Sequence, residues 1–114
     1  MVYLFVVGAH DVCAAAATHN CTKPVRPTIP DGESATEDEL LNARTRLEQF
    51  LKDANLYLVC VKSFEDQLGE AQDEVDGHAL VVDYNAMVEE MYLAGDEFNI
   101  ALRRYRLIHG EESE

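Results

Sequence analysis

Apolar residues recur at two interleaved positions of a seven-residue repeat over most of the chain. One series runs Leu40, Leu47, Ala54, Val61 and Leu68, and a second, three residues on, runs Ala43, Phe50, Tyr57, Phe64 and Ala71. Five heptads with both seam positions apolar, uninterrupted by Pro or Gly until Gly69, predict one long helix. Thr36 and Glu39 have the spacing of a capping box, and Glu37 and Asp38 suit the positive end of the helix dipole. The repeat resumes with Tyr84, Met91, Phe98 and Tyr105 beside Leu80, Met87, Ala94, Ala101 and Ile108, and Val88 and Leu102 widen the stripe. The acidic segment 69-GEAQDEVDG-77 predicts a helix end and a turn. The predicted helices span about 36–70 and about 78–108, and so short a connection makes them antiparallel. That order sets Arg103, Arg104 and Arg106 beside Glu37, Asp38 and Glu39 at the open end.

Two helices do not hide every apolar residue. The run 56-LYLVCV-61 turns Leu56, Val59 and Cys60 away from the seam, and Ala86, Leu93, Ile100 and Leu107 form a further stripe at seven-residue spacing. Such stripes mark contacts. The second one is the candidate interaction face, for a second copy of the chain or a protein partner.

The first third of the chain has a different texture. Residues 2-VYLFVVGA-9 are apolar and 14-AAAA-17 are small, the order of an export signal cleaved near Ala17. The signal is atypical or truncated, because no Lys or Arg precedes the run and His10-Asp11 interrupts it. The run is too short to span a bilayer. Removal of 1–17 takes Cys13 away and leaves Cys21 and Cys60, an even pair that in a small exported chain reads as one disulfide.

Residues 18–35 form a proline-paced arm. Pro24, Pro27 and Pro30 recur every third residue, one face of a polyproline II segment. Cys60 lies about 36 Å along a helix from Thr36, and Cys21 is about 46 Å before it in polyproline II. An arm that turns back at 31-DGES-34 therefore reaches Cys60, and the expected strap lays Pro24, Val25, Pro27 and Ile29 over Leu56 and Val59. The alternative for P-x-x-P-x-x-P, with Lys23 and Arg26, is a cytosolic partner-binding module that offers the arm to an aromatic groove.

The formal net charge is -13, from 9 basic and 22 acidic residues. Nucleic acid and anionic lipid need basic contacts, so neither is an expected partner. The acidic stretch 65–83 offers Glu70, Asp73 and Asp76 as weak divalent-cation ligands, although the spacing of a calcium loop is missing. Cys60 and His78 fail as nucleophile and base, being about 27 Å apart along a helix. His19 and His109 have no carboxylate or cysteine at ligand spacing and read as surface residues. No catalytic constellation and no cofactor motif is present, so no enzyme activity and no cofactor are expected.

The segments 21-CTKPVRP-27, 57-YLVC-60, 84-YNAMVEEM-91 and 98-FNIALRRY-105, in that order, resemble an uncharacterised family of small exported bacterial proteins. The family pattern is C-x-K-P-x-x-P, Y-L-x-C, Y-N-A-x-V-x-E-M and F-N-x-x-L-x-x-Y. The resemblance implies export and a helical hairpin and transfers no catalytic residue. The expectation is an all-α, coiled-coil-like antiparallel hairpin over 36–110, an arm tethered by Cys21–Cys60, and an acidic tail at 111–114. Its expected place is the periplasm or the outside of the cell. Its expected role is structural or interaction-based, with weak cation binding as the alternative.

Overall fold

The computed structural model describes residues 19–68 and 74–110, the side chains of 74–76 excepted. Helix α1 spans Glu37–Leu68 and helix α2 spans Glu74–His109. The capping box closes as its residues allow: the Glu39 amide donates to Thr36 Oγ1 at 3.1 Å, and the Thr36 amide donates to Glu39 Oε1 at 2.9 Å. Two of the orphan donors at the head of α1 are thereby satisfied. At the same open end of the hairpin, Gly110 takes a positive φ of 68° just after α2, the usual glycine role beyond a helix terminus.

The helices pack as an antiparallel hairpin through the heptad positions. Leu40, Ala43, Leu47, Phe50, Ala54, Tyr57 and Val61 are buried on α1, and Leu80, Met87, Ala94 and Ala101 on α2. Leu58 joins this core from one side of the α1 seam. The other α2 series, Tyr84, Met91, Phe98 and Tyr105, is only half-buried, and Ile108 is 59% exposed where α2 runs past the core.

Three details differ from the sequence expectation. Helix α2 begins at Glu74 rather than near 78, so Gly77 lies within it, in a buried place. One helical glycine costs about 1 kcal/mol, which a long packed helix absorbs. The arginine cluster lies beside the first turn of α1, with Arg106 and Glu37 lining one depression, but its ion pair is made elsewhere. Arg104 meets Asp31 of the arm at 3.7 Å, while Glu39 is held in the capping box. The third difference is the seat of the arm.

Cys21 and Cys60 form a disulfide across 39 residues of sequence, and the arm runs from it back towards the start of α1. It does not cover the outer face of α1. Val25 is 87% exposed, Leu56 68% and Val59 67%, and Pro24, with Thr22, shares a depression with Leu56. The arm lies instead along the groove between the helices. Arg46 Nη2 of α1 donates to the Thr28 carbonyl at 3.4 Å, and Arg26 meets Glu90 at 3.2 Å and Glu97 at 3.5 Å on α2. A groove offers two walls where an outer face offers one, so a three-sided polyproline II segment buries more there. The burial follows the period of three: Thr22, Val25, Thr28 and Asp31 face outward, while Pro24, Pro27 and Pro30 are half-buried, as are Arg26 and Ile29.

The arm ends in the expected turn. The Glu33 amide donates to Asp31 Oδ1 at 2.9 Å, and the Ala35 amide donates to the Asp31 carbonyl at 3.0 Å. Ile29 and Ala35 then pack with Leu40, Ala101, Leu102 and Tyr105. Gly32 lies tight against α2. A Cβ there would overlap the Ala101 carbonyl oxygen and come within 2.9 Å of Arg104 Cβ, so only glycine fits.

Candidate functional site

The arm begins in a small polar hub. The Cys21 amide donates to His19 Nδ1 at 3.1 Å, which leaves Nε2 to carry the proton that Asp83 Oδ2 accepts at 3.0 Å. The ring stands edge-on to Tyr57, with centroids 5.6 Å apart, and tilted to Phe64 at 6.3 Å. Burial, with a further contribution from the Asp83 carboxylate, raises the Tyr57 pKa above its ordinary value. His19 is therefore no free surface residue: its side chain is 12% exposed and Asp83 is its carboxylate partner. The sequence hid this pair because 64 positions separate the two residues. The hub has the outline of a base with its orienting acid. Yet both imidazole nitrogens are engaged, so neither is left to take a proton from a substrate. The neighbouring sulfurs are joined in the disulfide.

The expected interaction face is exposed as a stripe. Leu93 is 40% exposed, Ile100 42% and Leu107 75%, and Ala86 is exposed as well. The arm meets α2 at Asp83, Glu90, Glu97 and Arg104, themselves seven residues apart. The stripe lies three residues on from each, about 60° further round the helix on the arm side. Ile100 borders the cleft beneath Pro27 and Gly32.

On the opposite flank the groove between α1 and α2 is open. Two depressions follow it without any arm residue. One is lined by Leu58, Val59, Lys62, Asp66 and Tyr84 among others, and the second by Glu37, Leu41, Arg44, Phe98, Leu102 and Arg106. Between them the α2 wall is Tyr84, Val88, Met91, Gly95, Phe98 and Leu102, all half-buried. No charged residue stands on this α2 wall over five helical turns, although Glu89, Glu90, Asp96 and Glu97 fall elsewhere on the same stretch. Gly95 is the unexplained residue of the wall. A Cβ there would have no neighbour within 4 Å, so nothing in the chain requires a glycine that costs about 1 kcal/mol in a helix. The sequence signal for this flank was present in Val88, Leu102 and the uncharged spacing. The heptad pattern assigned those residues to the seam instead.

Other expected sites are placed as follows. Residues 1–17, Glu70, Asp73 and the tail 111–114 lie outside the described residues, as does the side chain of Asp76. Among the described residues no group of three His, Cys, Asp or Glu side chains is arranged to hold a metal ion. No described helix is long and apolar enough to cross a membrane. The prolines of the arm are turned onto the helices, and a partner domain would meet Val25 and Thr28. No protein-family model, curated protein or solved structure matches this chain.

Proposed function

We propose that the chain is a non-catalytic, exported interaction protein: a disulfide-strapped hairpin that presents an uncovered groove to a protein partner. The observation that carries the reading is the asymmetry of the two grooves. The arm fills one, through Cys21–Cys60, Arg26 and Ile29, and the other remains open, apolar and uncharged on its α2 wall. Contiguous apolar surface rimmed by polar residues marks a contact. The disulfide suits an oxidising compartment, in keeping with export to the periplasm or beyond and with the family the sequence resembles. A hub whose histidine has both nitrogens engaged suits a structural role better than a catalytic one. The candidate stripe Ala86, Leu93, Ile100 and Leu107 becomes a secondary contact on this reading.

Two experiments test it. The protein recovered from its native host should have a mass that starts near Thr18 and gains two hydrogens on reduction; a full-length mass with three free thiols refutes export. Crosslinking in that host should trap the chain in a species heavier than its own 12.8 kDa. Val88→Glu with Leu102→Glu should abolish that species while the helical signal of the purified variant persists. A crosslinked species that is indifferent to both substitutions removes the groove from consideration.

A further inference from the structure

We infer that the occupant of the open groove is a second copy of this chain, docked about a two-fold axis close to Gly95. The inference rests on the reading that the open groove is a contact surface, and it adds the identity of the partner. Three observations point the same way.

The first is charge. On a chain of net charge -13, two copies can meet only where the acidic surface is interrupted. The α2 wall of the groove is that interruption, with no charged residue from Tyr84 to Leu102 on this flank. The rim is of mixed sign: Arg44 pairs with Glu48, Lys62 with Glu65 and Asp66, and Glu37 and Arg106 line one depression.

The second is self-complementarity. An isologous contact sets one end of the groove on the other end of its twin. A two-fold axis through the middle places the Glu37, Arg44 and Arg106 end over the Lys62 and Asp66 end. Each end carries both signs, so Lys62 of one copy can meet Glu37 of the other, and Asp66 can meet Arg44 or Arg106. Leu41, 51% exposed, and Val59, 67% exposed, border the two depressions and exchange places under the same operation. The face is about 45 Å long and about 20 Å wide, from the helix rise and diameter. That offers about 900 Å² a side, against about 800 Å² for a standard interface.

The third is Gly95. It stands near the centre of this face, in a helix, with open space where a side chain would be. A glycine with no reason inside its own chain has one if another backbone comes close there. At the crossing point of an isologous pair each copy supplies the notch for the other.

Sedimentation of the oxidised chain tests this. The wild type should be dimeric at tens of micromolar. Gly95→Leu should weaken association by about ten- to a hundredfold, the effect of overpacking one tight contact. Its helix content and disulfide should be unchanged, because the side chain enters open space in the monomer. Gly95→Ala should raise the thermal midpoint of the dissociated monomer, which separates loss of contact from loss of fold. Leu93→Glu with Ile100→Glu, on the arm side, should leave the dimer intact. The proposal is overturned by a monomeric wild type, by a Gly95→Leu dimer as tight as wild type, or by dissociation through the arm-side pair. A chain that is monomeric when pure but heavier in its native host overturns the second copy while the open-groove reading stands.

Discussion

Replacing Cys21 and Cys60 together by alanine should destabilise the helices themselves, although one of the two residues lies outside them. The bond closes a sequence separation of 39 residues. In the chain-entropy treatment, closing a loop of that length removes about 13 cal/mol/K from the unfolded ensemble, or about 4 kcal/mol at 25 °C. Small domains hold about 5–15 kcal/mol in total, so the bond is a large share of the stability of this one. At about 4–8 °C per kcal/mol for a domain this size, the melting midpoint should fall by about 15–30 °C. The assay is a far-UV circular dichroism melt of both chains at one protein concentration, since association adds to apparent stability. The ring signals of His19, read by NMR, report separately on whether the arm is seated against Asp83 and Tyr57. If the His19 signals show a loose arm while the helix midpoint moves by less than about 5 °C, the reasoning is refuted. The hairpin would then stand without its strap.

Two further outcomes follow from single contacts. Gly32→Ala forces a methyl group into the Ala101 carbonyl oxygen, so the arm must lift; a loss of about 1–3 kcal/mol in urea unfolding is expected, and a neutral result would show that the arm is not seated on Ala101. Tyr57 should ionise above the ordinary tyrosine value of 10.0 in an absorbance titration, burial being the larger cause and Asp83 the smaller. Asp83→Asn should bring the transition part of the way back. Because the folded state holds this proton more tightly than the unfolded state, the associated stability is full below pH 10 and is lost as the pH rises through the folded value. A Tyr57 transition that Asp83→Asn leaves in place removes the Asp83 contribution.

Much of the hairpin was legible in the sequence because heptads are local. Leu40 to Val61 and Leu80 to Ala101 carry the seam in their own spacing, and Thr36 with Glu39 announces the start of α1 within four residues. The cysteine pairing was legible from the even pair that removal of 1–17 would leave, and from reach, since an arm of known rise ending near Thr36 arrives at Cys60. What escaped was the choice between surfaces. The period of three in the prolines says that the arm has a buried face; it does not say which wall that face meets. The ligands of the arm on α2, Asp83, Glu90 and Glu97, look in sequence like solvent-facing acids. Arg26 picks two of them 64 and 71 positions away, and no local pattern encodes such pairs. The open groove escaped for the converse reason: Tyr84, Met91 and Phe98 carry the same heptad signature as a buried seam, and only packing shows that they are half covered.

The disulfide also changes how the chain carries force. Tension applied between the first described residues and the end of α2 enters at Cys21, crosses the sulfur bridge to Cys60, and passes into the last two turns of α1. The arm and most of α1 are bypassed, because they lie in a closed loop off the load path. About 130 Å of contour length is thereby withheld from extension, counting about 3.4 Å for each of the 39 residues. The pulled molecule would yield first by parting α2 from the tip end of α1, with the strapped segment still folded length intact. Reduction of that one bond would return the arm and the rest of α1 to the load path, so the same pull would then act on 39 more residues.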